Sequence, residues 1–144
     1  MKDREECRDA LAALLTAELT GSGRPVQAVY NHKVGDFQNQ SPVVVLVAGG
    51  SIRPRQTFAS NATTFYFVLG AWVLYASEDG SWTEADAEDR LDLIEQQIAG
   101  MIEANQEVPP YWISLDYDDR SQIVEVALGG KPYLLEIIPL KMEV

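Results

Sequence analysis

The chain has 144 residues, of which 47% are apolar, and 22 acidic against 11 basic residues give it a formal net charge of -11. This balance argues against sequence-independent binding of nucleic acid, because such binding depends on the neutralisation of phosphates by Lys and Arg. The one cysteine, Cys7, excludes an internal disulfide, and no apolar run has the flanks of a signal peptide or the length of a membrane span, so we expect a single domain, 1–144, in a reducing cytosol.

Two segments have the periodicity of amphipathic helices. Apolar residues recur at spacings of three and four over 3–19 and again over 84–104, where Thr83 is a good N-cap. Many of the remaining positions in both segments are acidic, so each helix is expected to bury one stripe and expose the rest. The apolar positions are Cys7, Ala10, Leu11, Leu14, Leu15 and Leu19 in the first helix and Ala87, Leu91, Ile94, Ile98, Met101 and Ile102 in the second.

The other apolar runs have the length of strands and are separated by turn-forming residues. Because turns join most successive strands, the sheet is expected to be mainly antiparallel, and two helices can cover only one of its faces. The predicted fold is therefore α+β, a mainly antiparallel twisted sheet with two helices packed on one face. The predicted strands are 25–30, 43–47, 63–77, 111–117, 122–128 and 132–144.

The strand at 63–77 is apolar on both faces. Its 15 residues would span roughly 50 Å at ~3.3 Å each, whereas a globule of this size has a diameter of roughly 40 Å. We therefore expect the strand to bend at Gly70 or to project. Because the helices cover one face, a second copy of the chain is expected to cover the other, with Tyr66, Trp72 and Leu74 as interface residues.

Two further segments bear on partners. The connection 49–62 is long for a hairpin loop and contains Arg53 and Arg55, which are suited to binding an acidic partner. The alternative is that these two residues only solubilise the loop. Pro139 cannot donate a ladder hydrogen bond, so the tail 139–144 is predicted to be an edge strand or an arm that leaves the sheet.

The sequence offers little for catalysis. Cys7 lies on the apolar stripe of the first helix and His32 in a loop, and no nucleophile elbow or phosphate-binding glycine loop is present. Asp116, Asp118 and Asp119 could gather around a hard cation such as Mg²⁺, although a polar β-turn has the same composition and is the favoured interpretation. We therefore predict no enzyme activity, no cofactor and no metal site.

The order of elements resembles that of the tail terminator proteins of long-tailed bacteriophages. The features are an N-terminal helix, a hairpin that ends in a long apolar strand, an acidic helix, TEADAEDRLDLIEQQI, and closing antiparallel strands. The resemblance implies a ring, commonly a homohexamer, that caps the tail tube, ends its polymerisation and presents a surface to the head–tail connector. DNA would pass through the ring without specific binding, and the protein would reside in the virion after assembly in the host cytoplasm.

Three alternatives remain open at this level. Head-closure and other neck proteins of the same virions have related folds. A small acidic adaptor could hold one partner through 49–62. The third alternative is an acidic metal-dependent hydrolase that uses Asp116, Asp118 and Asp119, and it has the least support.

Overall fold

The computed structural model describes residues 2–53 and 63–144. Within these ranges the fold is α+β, as the sequence predicts, and neither helix is long and apolar enough to cross a membrane. The elements are α1 Arg4–Leu19, β1 Ala28–Tyr30, β2 Val43–Ile52, β3 Thr64–Leu74, α2 Glu84–Ala104, β4 Ser114–Tyr117, β5 Gln122–Leu128 and β6 Lys131–Glu143.

Both helices begin with a capping box. The Asp3 carboxylate accepts a hydrogen bond from the Glu6 N–H, and the Glu6 carboxylate accepts one from the Asp3 N–H. Thr83 and Asp86 make the same reciprocal pair at the start of α2. These bonds satisfy backbone donors that have no partner inside the helix, and they explain why both helices begin where the sequence predicts.

The sheet has the order β1-β2-β3-β6, with β4 and β5 both on the far side of β6. Every pair is antiparallel except β1 with β2. β4 pairs with residues 140–143 of β6 and β5 pairs with 131–137, so the two strands follow one another along the same side of β6. They form a single edge that is interrupted at 118–121.

The position of β6 corrects the prediction for the tail. Residues 139–143 do not form an arm or an edge, since they pair with β3 on one side and face β4 on the other. In a strand, the N and C=O of one residue point to the same neighbour. The Pro139 carbonyl accepts from the Asp118 N–H at 2.9 Å, so its missing donor falls at the interruption between β4 and β5, where no ladder bond is needed.

β3 is shorter than predicted and does not bulge at Gly70. Its 11 residues pair with β2 and β6 in continuous register through Gly70, while the irregularity lies in β2 between Ala48 and Gly50. A Cβ at Gly70 would lie 3.1 Å from Trp72 Nε1 and 3.2 Å from Leu135 Cδ1. Gly70 thus leaves room for two neighbouring side chains instead of bending the strand.

Both helices pack on one face of the sheet, which we call the helix face. Their apolar stripes, including Leu11, Leu15, Leu91 and Ile98, form one buried core with the sheet. The sheet contributes to this core mainly the odd-numbered residues of β3 and their partners in β6. This arrangement confirms the prediction that two helices cover one face.

Candidate interaction surface

The opposite side of the sheet, which we call the outer face, is also apolar. Directly paired residues of neighbouring strands share a face, so the register identifies its members. They are Val43, Val45 and Val47 of β2, Tyr66, Val68, Gly70, Trp72 and Leu74 of β3, and Tyr133, Leu135, Ile137, Pro139 and Lys141 of β6.

The loop between β1 and β2 covers one half of the outer face. Phe37 from this loop is 2% exposed. Its ring centroid lies 5.3 Å from that of Trp72 and 5.6 Å from that of Tyr133, both in edge-to-face geometry. Leu74 packs against the same cluster. Trp72 and Leu74, which are expected from the sequence to contact another copy, thus already pack within the same chain, and each remains partly buried.

Hydrogen bonds fix this loop on the sheet. Tyr30 Oη donates to Gln40 Oε1 at 2.5 Å, and the Leu74 N–H donates to Ser41 Oγ at 2.9 Å. Lys131 Nζ reaches Asn39 Oδ1 at 2.8 Å. The sequence signal for this arrangement is the aromatic Phe37 in a mostly polar loop.

The other half of the outer face has no such cover from the described residues. Val68 pairs with Pro139 across the strands, and Gly70 pairs with Ile137. Tyr66, Val68, Ile137 and Pro139 are each half-buried, and none belongs to either apolar cluster of the described residues. We call these four residues the open patch. Of the three predicted interface residues, only Tyr66 lies there.

Arg53 lies beside the N-terminus of α1. Its guanidinium stacks over the Phe65 ring at 5.6 Å, and Arg4 Nη1 donates to Ser51 Oγ at 3.0 Å. Arg53, Arg4 and Ser51 line an open polar cavity of about 720 Å³ together with Arg8, Asp3 and Glu5. The predicted partner residue Arg53 is thus exposed but close to two carboxylates. Arg55 lies outside the described residues.

Cys7 is not placed for nucleophilic chemistry. It is fully buried, and its thiol donates to the Tyr111 carbonyl at 3.4 Å. Burial, followed by the carboxylates of Asp3 and Glu6, raises the pKa of the thiol to about 11. The thiol is therefore protonated at neutral pH and acts as part of the core.

Two of the three aspartates near β4 accept local hydrogen bonds through their carboxylates. Asp116 Oδ1 accepts from the Tyr117 N–H at 2.8 Å, and Asp119 Oδ1 accepts from the Arg120 N–H at 2.7 Å. Among the residues that the structure describes, no group of three or more His, Cys, Asp or Glu could hold a metal ion. These carboxylates have the local hydrogen bonds typical of a polar turn.

Sequence reasoning missed one buried acid, Glu136, which lies on the helix face of β6 and is 4% exposed. Ser121 Oγ donates to its Oε2 at 2.5 Å, and its carboxyl lines a cavity of about 310 Å³ with Tyr117 and Arg120. Burial first, and then the charges of Glu95 and Asp92, raise its pKa above the ordinary value. The available signal was the interruption of the apolar alternation of the last strand at this position.

No protein-family model matches the chain, and no curated protein sequence matches it. The geometry and charge of the surface are therefore the basis of the proposed function.

Proposed function

We propose that the protein is a structural component of a bacteriophage virion, a tail terminator whose copies form a ring, commonly a hexamer, at the end of the tail tube. The observation that carries the proposal is the open patch. Half-buried aliphatic and aromatic side chains on adjacent strands of one sheet are typical of a surface that a neighbouring subunit covers. In this role the protein has no catalytic activity, and it contacts the tail tube protein and the head–tail connector.

The charge of the chain supports the same role. A net charge of -11 leaves few cations to hold phosphates, so DNA could pass through a ring without binding to its wall. A closed ring of identical subunits uses two different surfaces of each subunit, because a self-complementary contact gives a dimer. The open patch would be one of these two surfaces.

The fold changes which residues we expect at the proposed interface. Trp72 already packs against Phe37, and Leu74 packs against the cluster that contains Phe37, so we expect both to contribute less to a contact with a neighbour. Val68 and Ile137 replace them in the proposal, beside Tyr66.

The test is the mass of the assembled species by native mass spectrometry and by light scattering after size exclusion. We expect a single closed oligomer for the wild type and monomers for the double variant Val68→Lys with Ile137→Lys, because two charges would be buried without partners. Leu93→Lys is the matched control, since Leu93 is 40% exposed on α2 and the outer face lies on the other side of the sheet. This control should assemble like the wild type.

A wild-type protein that stays monomeric at high concentration, with and without Mg²⁺, would contradict the proposal. If a ring forms, electron microscopy of tail tubes mixed with it separates the two phage roles. A terminator binds at the tube ends, whereas a head-closure protein leaves the ends bare.

A further inference from the structure

β5 is a free edge of the sheet among the described residues, because it pairs with β6 alone. The hairpin that joins them turns through Gly129 and Gly130, whose φ values are 59° and 77°, and it closes on the pair Leu128–Lys131. In a two-residue hairpin the closing pair exchanges both hydrogen bonds, and bonded pairs then alternate along the strands. The backbone N–H and C=O groups of residues 123, 125 and 127 therefore point away from the sheet.

The two halves of the β4–β5 edge differ in chemistry. The half that contains β4 carries Asp116 and is followed by Asp118 and Asp119, and such charges protect an edge against pairing. β5 instead exposes Ile123 and Val124, at 55% and 37%. β5 contains a single charge, Glu125, and an edge that exposes apolar side chains in this way is suited to accept an additional strand.

The helix face beside β5 is strongly negative. Ile123 and Glu125 point to this face, since they pair with Glu136 and Leu134. One flank of α2 faces the same space. Burial raises the pKa of Tyr75 most, and the carboxylates of Glu125, Glu88 and Glu84 raise it further. Burial also raises the pKa of Glu136 most, and the carboxylates of Glu95 and Asp92 raise it further. The acids of this flank, which we call the acidic flank, are Glu84, Glu88, Asp92 and Glu95.

No salt bridge neutralises the acidic flank within the described part of the chain, and the nearby cation Arg120 lines the cavity that Glu95 and Glu136 share without a salt bridge to either. The two salt bridges found in that part of the chain join Lys2 to Glu6 and Arg24 to Glu18, both outside α2. A strand added to β5 would direct every second side chain towards the acidic flank and the intervening side chains towards Val124 and Val126 on the outer side.

We propose that β5 accepts an extended basic segment of a partner protein as an additional strand. Lys or Arg at alternate positions of that segment face the acidic flank, and β-branched residues between them pack beside Val124 and Val126. This inference goes beyond the proposed ring and does not depend on it, because it rests on the backbone edge of β5 and on the acidic flank, whereas the open patch consists of outer-face side chains of β3 and β6, one of which, Ile137, pairs with the first residue of β5.

A second copy of the chain fits this edge poorly. The other strands at the sheet edges, β1 and β4, contain no Lys or Arg, and neither does β5. Pairing two copies through β4 or β5 would bring a further carboxylate to β5, and pairing through the uncharged β1 would bring no cation to offset the acidic flank.

The test is fluorescence anisotropy with a labelled, end-blocked peptide of about eight residues that alternates Lys and Val, at about 0.15 M salt. The control peptide has the same composition with its lysines grouped at one end. Because only the alternating peptide can place all its cations on one side of a strand, we expect it to bind roughly tenfold more tightly or better.

Three variants separate the contributions. Ile123→Pro removes one outward N–H without removing a bond to β6, and it should reduce affinity roughly tenfold. Glu88→Lys with Asp92→Lys should do at least the same. Asp89→Lys with Glu103→Lys makes the same change in net charge at exposed α2 positions outside the acidic flank, and it should alter affinity less than about threefold. Circular dichroism confirms that each variant is folded.

Equal binding of the two peptides would overturn the proposal, as would full binding by Ile123→Pro or an equal loss in the control pair. Val124→Cys tests the second-copy alternative, since the native thiol, Cys7, is buried. Disulfide-linked dimers of this variant in the absence of peptide would show that β5 pairs with β5 of another copy, and they would also overturn the proposal.

Discussion

The two faces of the sheet are almost equally apolar in sequence but differ in how they are covered. The helix face lies under α1 and α2, and the odd-numbered residues of β3 from Phe65 to Val73 are fully or almost fully buried there. Among the described residues, one loop packs on the outer face and contributes to the cluster that Trp72 and Leu74 contact, whereas Tyr66 and Val68 belong to neither apolar cluster; all four side chains are half-buried. Apolar sequence thus indicates that a face needs cover, but the connecting segments determine how much of that cover the chain supplies.

The largest expected effect comes from two adjacent residues of β3 on opposite faces. Phe67→Ala would leave a cavity in the core under the helices and should lower the free energy of unfolding by about 4 kcal/mol. Tyr66→Ala, in the open patch, should lower it by only about 1 kcal/mol. Urea unfolding of the two variants checks this, and equal losses would mean that the faces do not differ in the way described.

A smaller effect is expected from the loop on the outer face. Phe37→Ala removes the ring that packs against Trp72 and Tyr133, and it should lower the free energy of unfolding by about 3 kcal/mol, since the loop can settle partly into the space. Trp72 would also become more accessible to a fluorescence quencher. Val34→Ala, in the same loop and only partly buried, is the control and should have a much smaller effect on both measurements. Unchanged quenching in Phe37→Ala would contradict the role assigned to the loop.

The parts of the fold that depend on local pattern could be predicted. Thr83 and the apolar stripe of the second helix gave α2 its bounds, because capping and periodicity are local properties. The alternation at 122–128 predicted β5 for the same reason. The α+β class followed from the order of these elements.

The parts that depend on contacts between distant segments could not be predicted. Pro139 predicted an edge strand, because proline lacks the N–H that an inner strand donates. Its missing N–H faces the interruption between β4 and β5, and this depends on the pairing of distant strands, which no local pattern shows. Phe37 lies in a polar loop, and its packing against Trp72 joins residues 35 positions apart in sequence. At the candidate surface, the three predicted interface residues therefore fall into two groups: Tyr66 lies in the open patch, whereas Trp72 and Leu74 pack against the cluster that contains Phe37.

The smallest expected effect comes from Glu136, the buried acid on the helix face. The pKa of Glu136 is raised in the folded state. The folded protein therefore keeps a proton on Glu136 at pH values where the unfolded chain has released it. The free energy of unfolding then falls as the pH rises from about 4.5 through the folded pKa.

Glu136→Gln cannot ionise, and its side-chain oxygen can still accept the hydrogen bond from Ser121. We therefore expect the Tm of this variant to exceed that of the wild type near pH 7.5 and to approach it near pH 4. Glu103→Gln, at an exposed position of α2, should show no such pH dependence. A difference in Tm between Glu136→Gln and wild type that is the same at both pH values would mean that Glu136 is solvated like an ordinary surface acid.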